Sequence, residues 1–503
     1  MTQLERMAVR LHELLGGVGV LGWVGDRGVD VTAITHDSRR ATRGSCFACI
    51  PGAVTDGHKY APEAADAGAV ALLVERELEI PVAQARVASV RAVLGPAAAT
   101  FYGHPSRSLH CLAVTGTNGK TTVTYLLEAI ARAAGDQVGV VGTVGARVDG
   151  DPLPLERTTP EADDLQALLA RMRDAGVRTV ALEASSHALD QRRMDGMWFT
   201  AACFTNLSQD HLDYHGSMPA YFEAKARLFD PARTAAAAIN LDDRYGIQLA
   251  RQANDTGLPV LTFARSDQRR STRVDIVAED VTLDATGTRF VLADRRTGKR
   301  ANIASPLLGR FNVSNALAAA ATALVSGVPL VAVAEGLNSP VVIPGRVERV
   351  VAGQPFTVLV DYAHTPDALM RVLETARSLA QHGRVVAVFG AGGDRDREKR
   401  PAMGRAVADG ADMVVLTSDN PRSEAPEAIA DAVLNGLRGG PATVAVELDR
   451  RAAIRHALSE ARRGDVVVIA GKGHETGQTT GERTIAFDDR VVAREELEAL
   501  GCA

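Results

Sequence analysis

The chain has 503 residues, a net charge of −5, and 46% hydrophobic and 23% charged residues. This length predicts about three domains, and the composition is that of an ordinary globular protein. The mildly acidic balance argues against a basic nucleic-acid-binding face, and no run of about 18 apolar residues predicts a membrane span. We therefore expect a cytoplasmic, monomeric protein that acts on small molecules.

Residues 1–109 contain short strands separated by loops, and they form the first predicted domain. The opening segment MTQLERMAVRLHELLGG has the apolar spacing of an amphipathic helix and lacks the pattern of a signal peptide. The five cysteines are scattered along the chain, which is typical of a reducing compartment. Cys46 and Cys49 form a CxxC pair inside SCFACIPG, but this segment predicts a short buried strand rather than the helix start that a redox motif needs.

Strand-like and helix-like segments alternate along the rest of the chain, which predicts parallel α/β sheets. The second predicted domain, residues 110–343, begins with the strand HCLAVTG and changes over residues 273–305 to short alternating segments typical of antiparallel hairpins. A predicted helix from about Val313 to Leu324 closes it. The third predicted domain, residues 344–503, contains strand–helix pairs. The predicted fold class is therefore α/β, with an antiparallel insertion in the central domain.

Residues 115–122 read TGTNGKTT and lie between a predicted strand and a predicted helix. In that context the backbone N–H groups at the helix start can bind phosphates, and the helix dipole favours negative charge. Lys120 is placed to reach the β- and γ-phosphates, and the hydroxyl of Thr121 can bind Mg²⁺. The alternative is a glycine-rich turn with a solvated Lys120, since Val114 stands where the full phosphate-loop pattern has its first glycine.

Three further residues are candidates for metal chemistry. Glu183 ends the predicted strand VRTVALE, and a carboxylate at such a strand end is a natural Mg²⁺ ligand. His211 lies in NLSQDHLDYH, where the hard oxygen groups and the lack of nearby cysteine argue against zinc. Lys225 lies in the predicted helix MPAYFEAKARLFD, and helical periodicity alone predicts a solvated surface lysine.

These motifs occur with others in one order along the chain: GTNGKT, EASSH, NLSQDHLDYH, FEAKARLF, GRFNVSN, PGRVE, DYAHTP, FGAGGDRDREKRP, SDNPR and GKGHE. With the N-terminal DSRR and DGH segments, they cover almost the whole chain. The set resembles the Mur ligase family, and within it the branch that adds diaminopimelate. The resemblance implies an N-terminal UDP-binding domain, a central ATPase domain of phosphate-loop type, and a C-terminal Rossmann-like domain for the incoming amino acid.

The implied activity is that of an ATP-dependent, ADP-forming ligase of peptidoglycan precursor synthesis. Such an enzyme joins meso-diaminopimelate to the γ-carboxylate of D-glutamate in UDP-N-acetylmuramoyl-L-alanyl-D-glutamate through an acyl phosphate, although the sequence leaves the stereoisomer open. Three alternatives remain: a lysine-adding member of the family, a ligase that extends folate with glutamate, and a non-catalytic nucleotide-binding scaffold.

The resemblance also implies roles for individual residues. It implies that Lys225 is carbamylated and, as a carbamate, binds Mg²⁺ together with Thr121, Glu183 and His211, and that Lys120, Glu183, His211 and Lys225 form the catalytic set. The implied ATP-binding residues are Gly116, Thr117, Asn118, Gly119, Lys120, Thr121, Thr122, Asn312, Asn315, Arg346 and Asp361. The implied residues for the UDP-muramoyl dipeptide are Ser38, Asn118, Thr158, Thr159, Ser185, Gln191 and Arg193.

The choice of amino acid is expected to depend on the segment from Asp419 to Arg422, which reads DNPR. Diaminopimelate carries a distal carboxylate that lysine lacks, and an arginine can bind a carboxylate through two hydrogen bonds. By resemblance, lysine-adding relatives differ at the arginine position. The implied diaminopimelate-binding residues are Arg395, Asp419, Asn420, Pro421, Arg422, Gly471 and Glu475, with Glu475 accepting the ammonium group.

Overall fold

The computed structural model of the chain describes residues 8–52, 55–155, 157–265, 274–284, 286–380 and 382–501. Three sheets organise it, and each is formed by consecutive strands of one part of the chain. We refer to these parts as the N-terminal, central and C-terminal units. Among the helices within those ranges, none is long and apolar enough to cross a membrane.

The N-terminal unit is built on a five-stranded sheet of order β2-β7-β6-β5-β4, parallel except at β2. Its elements are β1 (Val9–Arg10), α1 (Leu11–Leu14), β2 (Val20–Val24), β3 (Asp30–Val31), β4 (Ala33–Thr35), β5 (Ser45–Ala48), α2 (Ala61–Asp66), β6 (Ala71–Val74), β7 (Ala83–Val87), α3 (Val90–Phe101) and α4 (Pro105–Ser108). The predicted N-terminal helix was wrong in extent, because residues 9–10 pair with β3 and, among the described residues of this segment, only Leu11–Leu14 are helical. Residues 1–7 lie outside the described ranges.

The predicted strand around the CxxC pair is confirmed by β5. Cys46 and Cys49 are both fully buried. Burial raises the pKa of each thiol to about 12, which disfavours the reactive thiolate. The pair therefore contributes to the core of this unit rather than to redox chemistry.

The central unit contains an eleven-stranded sheet of order β11-β10-β9-β12-β8-β13-β14-β15-β16-β17-β18. Its elements are β8 (His110–Thr115), α5 (Lys120–Ala133), β9 (Val138–Gly142), β10 (Gly145–Val148), β11 (Asp151–Leu153), α6 (Ala162–Asp174), β12 (Thr179–Glu183), α7 (Ser186–Asp190), β13 (Ala201–Phe204), α8 (Leu212–His215), α9 (Met218–Ala226), β14 (Ala237–Asn240), α10 (Arg244–Asp255), β15 (Val260–Arg265), β16 (Ile276–Asp284), β17 (Gly287–Asp294), β18 (Lys299–Ser305), α11 (Arg310–Val325) and α12 (Leu330–Asn338). The seven neighbouring strands β9, β12, β8, β13, β14, β15 and β16 are parallel. Strands β16, β17 and β18 form the predicted antiparallel hairpins. Apolar cores lie on both faces of the sheet.

The C-terminal unit has a six-stranded sheet of order β19-β20-β24-β21-β22-β23, parallel except at β19. Its elements are β19 (Glu348–Val350), β20 (Thr357–Asp361), α13 (Pro366–Ala380), β21 (Val385–Phe389), α14 (Lys399–Gly410), β22 (Met413–Leu416), α15 (Pro426–Leu437), β23 (Thr443–Val446), α16 (Arg450–Glu460), β24 (Val466–Ala470), β25 (Gly477–Thr480), β26 (Arg483–Ala486) and α17 (Asp489–Ala499). The α/β fold class is thereby confirmed.

Three adjacent parallel strands of the central sheet bring the loops of the candidate site together. β8 pairs with β12 on one side and with β13 on the other, so that Glu183 lies opposite Val114 and Phe204 lies opposite Thr115. The carboxyl ends of these strands therefore meet at one edge of the sheet, where open α/β sheets bind ligands.

Candidate active site

The loop between β8 and α5 has the geometry expected for phosphate binding. Gly119 precedes α5 with a φ of +91°, and a Cβ at this position would lie 2.4 Å from Oδ1 of Asn315, so the close approach requires glycine. The ammonium group of Lys120 donates hydrogen bonds of 2.9 Å to the carbonyls of Gly116 and Thr117. The backbone of the loop therefore surrounds the ammonium group of Lys120, and the N-terminus of α5 lies next to it, as in a phosphate-binding loop.

Glu183 and Thr121 are brought together beside this loop. The Thr121 hydroxyl donates a 2.9 Å hydrogen bond to Oε1 of Glu183, which is 1% exposed. The backbone N–H and the hydroxyl of Thr143 also donate to that carboxylate, at 2.8 and 3.0 Å. Arg346 of the C-terminal unit donates to the Thr121 hydroxyl at 3.1 Å. Two hard oxygen groups of the type that Mg²⁺ prefers therefore lie at the base of the phosphate loop.

Lys225 lies in the predicted helix, now α9, but it is not the solvated lysine that periodicity predicts. Its side chain is 1% exposed, its ammonium group donates to the Gly116 carbonyl at 2.9 Å, and it lies 4.6 Å from the centre of the Tyr221 ring. Burial and the nearby charge of Lys120 lower the pKa of Lys225 well below its usual value. A lysine in this environment favours the neutral, nucleophilic amine.

His211 sits at the edge of the same centre, next to Asp210. Its Nε2 is 3.4 Å from Oδ2 of Asp210, and its ring centroid is 4.8 Å from that of His187. Burial and the neighbouring cations outweigh the attraction of Asp210 and lower the pKa of His211 below its usual value. The ring is therefore neutral at neutral pH, which is the form that can bind a metal ion.

A cavity of about 630 Å³ runs between the central and C-terminal units next to the phosphate loop. Asn315 lines both this cavity and the smaller one in front of Gly119, so the two are adjacent. Asn315 donates to Oδ1 of Asn312 at 2.8 Å. Asp361, at the end of β20, accepts backbone N–H groups at 2.7 Å, and Arg346 stacks 4.5 Å from the ring centre of Tyr362. Of these predicted ATP-binding residues, Asn315, Arg346 and Asp361 line the smaller cavity together.

The predicted dipeptide-binding residues form a second cluster on the other side of Glu183. Thr159 donates to the Glu183 carbonyl at 2.9 Å and to the Ser185 hydroxyl at 3.3 Å. Arg193 donates to the carbonyl of Thr159 at 3.1 Å and to the side chain of Gln191 at 2.5 Å. Thr158 contacts the Thr143 hydroxyl at 3.2 Å. Asn118, predicted for both ligands, instead donates to Asp367 of the C-terminal unit at 2.9 Å.

Ser38 lies apart from this cluster, in the N-terminal unit. Its hydroxyl donates to Glu63 at 3.3 Å. It lines a cavity of about 870 Å³ that extends to Glu161 and Arg157 at the central unit. The cavity thus extends from Ser38 to Glu161, which pairs with Arg193 of the predicted dipeptide cluster.

The predicted amino-acid site forms at the carboxyl ends of β21, β22 and β24. Arg422 and Arg395 both flank Gly392, where a Cβ would lie 3.1 Å from Nη1 of the first and 3.9 Å from Cγ of the second. Glu475 accepts hydrogen bonds from Asn420 at 2.8 Å and from the fully buried Lys472 at 3.0 Å. The site therefore offers the guanidinium group of Arg422, the side chain of Arg395 close by, and a separate carboxylate.

Two more of the predicted residues, Gly471 and Asp419, lie close together in this cluster. A Cβ at Gly471 would lie 3.7 Å from the carboxyl carbon of Asp419, and Oδ1 of Asp419 is buried without a hydrogen-bond partner. Nζ of the buried Lys472 lies 3.7 Å from that oxygen and pairs with its charge. Pro421 contributes a backbone position in the same segment and is buried.

Several residues of the site were not predicted. Asn206 accepts the N–H of Asn118 at 3.0 Å, and Thr143 donates to Glu183. Both follow the carboxyl end of a strand, so the strand-end argument that selected Glu183 could have found them. The contact of Asp367 with Asn118 joins residues 249 positions apart, and no local pattern indicates it.

Family models match all three units. The Mur ligase family catalytic domain matches residues 30–106, the Mur ligase middle domain matches residues 114–323, and the Mur ligase glutamate ligase domain matches residues 345–473. The chain belongs to the Mur ligase family. The match to the middle domain includes the phosphate loop, Glu183 and Lys225, and the glutamate ligase domain match includes Arg395, Arg422 and Gly471.

Individual relatives of this Mur ligase match along nearly its whole length. It is 44% identical over 472 residues to the UDP-N-acetylmuramoyl-L-alanyl-D-glutamate–2,6-diaminopimelate ligase of Geobacillus thermodenitrificans, covering 92% of this chain and 94% of that one. It is also 44% identical over 500 residues to the ligase of the same name from Streptomyces coelicolor, covering 98% and 97%. A solved structure with the same enzyme name is 34% identical, covers 98% of this chain and all of its own, and has a TM-score of 0.68.

Proposed function

We propose that this protein is an ATP-dependent, ADP-forming ligase that joins 2,6-diaminopimelate to UDP-N-acetylmuramoyl-L-alanyl-D-glutamate in peptidoglycan precursor synthesis. The names of the relatives support the reaction. The observation that carries the choice of amino acid is the pair Arg395 and Arg422 around Gly392, with Glu475 as a separate carboxylate. Diaminopimelate has a carboxylate at each end, so it can satisfy a cationic site that lysine leaves unpaired.

The reaction follows from what these residues can do. The γ-carboxylate of D-glutamate attacks the γ-phosphorus of ATP, ADP leaves, and an acyl phosphate forms. The amine of diaminopimelate then attacks the acyl carbon, phosphate leaves, and an amide bond remains. Lys120 offsets the charge on the transferred phosphoryl group, and Arg193 orients the dipeptide carboxylate. Closure of the three units around the ligands keeps water from the acyl phosphate.

The bound nucleotide is assigned to the cavity beside the phosphate loop. We assign its phosphates to residues 116–122 and its base to the space lined by Asn315 between the central and C-terminal units. Mg²⁺ fits the oxygen groups of Thr121 and Glu183 and, when bound, neutralises phosphate charge. His211 supplies a neutral nitrogen at the edge of this group.

Carbamylation of Lys225 is part of the proposal. A carbamate forms when a neutral amine attacks CO₂, and the lowered pKa of Lys225 favours that amine. The product, formed with release of a proton, is anionic, so it places a negative charge next to Lys120, whose ammonium group shares the Gly116 carbonyl with Lys225. A ¹³C signal of a lysine carbamate, seen with ¹³C-bicarbonate in the wild type and missing in Lys225→Ala, tests it. A wild type without that signal, and with activity insensitive to CO₂ removal, contradicts it.

We further propose domain boundaries at residues 1–109, 110–343 and 344–503, a monomer in solution and a cytoplasmic location. The boundaries agree with the division of strands among the three sheets. Sedimentation velocity tests the monomer, and a dimer at micromolar concentration contradicts it.

The activity is tested by leaving out each substrate in turn. Phosphate release should require ATP, UDP-N-acetylmuramoyl-L-alanyl-D-glutamate and diaminopimelate together, and the amide product should be detected by mass spectrometry. Phosphate release that proceeds equally without the amino acid, with no amide product, would contradict the ligase function.

A further inference from the structure

The N-terminal and central units meet at the start of α6, where three carboxylates of the central unit face basic side chains of the N-terminal unit. The pairs are Arg91–Glu161, His36–Asp163 and Arg40–Asp164. Glu161 also pairs with Arg193, at 3.1 Å, and so connects this boundary with the dipeptide cluster. The start of α6 therefore holds the N-terminal unit next to the proposed substrate site.

The pair of His36 and Asp163 has the most complete geometry of the three. Nδ1 of His36 is 2.8 and 2.9 Å from the two oxygens of Asp163, and the backbone N–H of His36 donates to Oδ2 at 3.0 Å. The side chain of Asp163 is 2% exposed. Burial lowers the pKa of His36, but the hydrogen bond to Asp163 and the charges of Asp163, Asp164 and Glu161 outweigh it and raise the pKa. One buried carboxylate thus binds both the ring and the backbone of His36.

These contacts lie between the two ends of the proposed ligand. On one side, His36 leads into Asp37, which caps the 3-10 helix Ser38–Arg40. On the other side, Asp163 follows Thr159 by four positions, and Thr159 is fixed by the Glu183 carbonyl. The 870 Å³ cavity is lined by residues from both sides of the boundary, including His36 and Glu161. The distance from Ser38 to Thr159 therefore depends on how the two units are joined here.

We propose that Asp163 is a positioning residue: by binding His36, it holds the segment that carries Ser38 at the separation from Thr159 that one UDP-muramoyl dipeptide must span. This inference rests on the proposed function. Asp163 acts through His36, and the ligand itself is bound by the flanking segments.

The proposal has a specific energetic consequence. A ligand that is bound at both ends binds tightly, because binding of the first end holds the second end near its own site at a high effective concentration. This gain in affinity is lost when the two sites are misaligned. Loosening the pair of His36 and Asp163 should therefore weaken the complete ligand. It should leave the affinity for a fragment that occupies only one end almost unchanged.

The test is calorimetric titration of the full-length protein with UDP-N-acetylmuramoyl-L-alanyl-D-glutamate and, separately, with UDP. In Asp163→Asn, which keeps the side-chain size but loses the charge, the dissociation constant of the complete ligand should rise roughly 10-fold or more, as expected for loss of a charge-assisted contact. The constant for UDP should change less than about twofold. Asp174→Asn, at the other end of α6 and partly exposed, is the matched control and should behave as wild type.

Kinetics and a second variant complete the test. In Asp163→Asn the KM for the UDP-muramoyl dipeptide should rise while the KM for ATP and kcat at saturation stay within about twofold. His36→Asn should reproduce the defect, and the double variant should be no worse than either single variant, since the two act as one pair. If Asp163→Asn does not fold, His36→Asn alone decides the question.

Two results would overturn the proposal: unchanged affinity of either variant for the complete ligand, or equal weakening of UDP and the complete ligand. Failure of the proposed function looks different, because the wild type itself would then bind neither UDP nor the complete ligand.

Discussion

Replacement of Arg422 by alanine should specifically weaken the use of diaminopimelate. Nη1 of Arg422 donates to the Gly393 carbonyl at 2.6 Å, which aims the guanidinium beside Gly392, and its backbone N–H donates to Thr479 at 3.1 Å. Its φ of +53° is unusual for a residue with a side chain and indicates a position fixed by its surroundings. The side chain is therefore held in place before the amino acid arrives.

The size of the effect follows from these contacts. Hydrogen bonds to a charged group contribute about 1.5–3 kcal/mol, and about 1.4 kcal/mol corresponds to tenfold in affinity. Arg395 lies near the same glycine, so one positive charge remains close to the site in the variant. We therefore expect Arg422→Ala to raise the KM for diaminopimelate roughly 10- to 100-fold, with a change of less than about threefold in the KM for ATP.

The assay is phosphate release at saturating ATP and UDP-muramoyl dipeptide, with diaminopimelate varied. Arg463→Ala removes an exposed arginine of the same unit and should leave every constant as in the wild type. The preference for diaminopimelate over L-lysine should also shrink in Arg422→Ala. A KM for diaminopimelate within twofold of the wild-type value would refute the role given to this arginine.

Three other outcomes follow from the structure. Lys120→Ala should lower kcat roughly 10²–10³-fold or more, because the transferred phosphoryl group loses the preorganised cation that stabilises its charge. Calorimetry should still detect binding of the UDP-muramoyl dipeptide to this variant. A near-normal kcat would exclude a role of Lys120 in phosphate binding. Asp489→Ala should lower the free energy of unfolding, measured in urea, by about 3–5 kcal/mol. The reason is that Arg450 and Asp489 are both fully buried and form an ion pair at 2.7 Å, so the variant leaves the Arg450 charge buried without its partner. A loss below about 1 kcal/mol would contradict this stabilising role. Burial lowers the pKa of His215 from 6.5 to about 4 in the folded protein. As the pH drops from 6.5 towards 4, the unfolded protein therefore binds a proton at this residue before the folded protein does, and the free energy of unfolding should fall. This pH dependence should be weaker in His215→Asn, and an unchanged dependence would contradict the assignment.

The sequence predicts the part of the site that local patterns determine. The phosphate loop and Glu183 follow from the rule that strand ends meet at one edge of a parallel sheet, and β8, β12 and β13 place them there. The antiparallel segment after residue 274 follows from its alternation of apolar and polar residues. These features need only a few consecutive residues to be recognised.

The remaining features depend on distant contacts. Helical periodicity predicts an exposed Lys225, yet the Gly116 carbonyl and the Tyr221 ring bury it, and the first of these is 109 positions away. The pair of His36 and Asp163 joins residues 127 positions apart. The short first helix is limited because Val9 and Arg10 pair with β3. In each case tertiary packing overrides the local pattern.

One measurement tests the central claim most directly: product formation from ATP and UDP-N-acetylmuramoyl-L-alanyl-D-glutamate with diaminopimelate and with L-lysine in parallel, followed by mass spectrometry. We predict amide product with diaminopimelate and at least about tenfold slower turnover with lysine at equal concentration, because lysine offers no distal carboxylate to the guanidinium of Arg422. Equal or faster turnover with lysine, or no product with either amino acid from folded protein that binds ATP, would contradict the account.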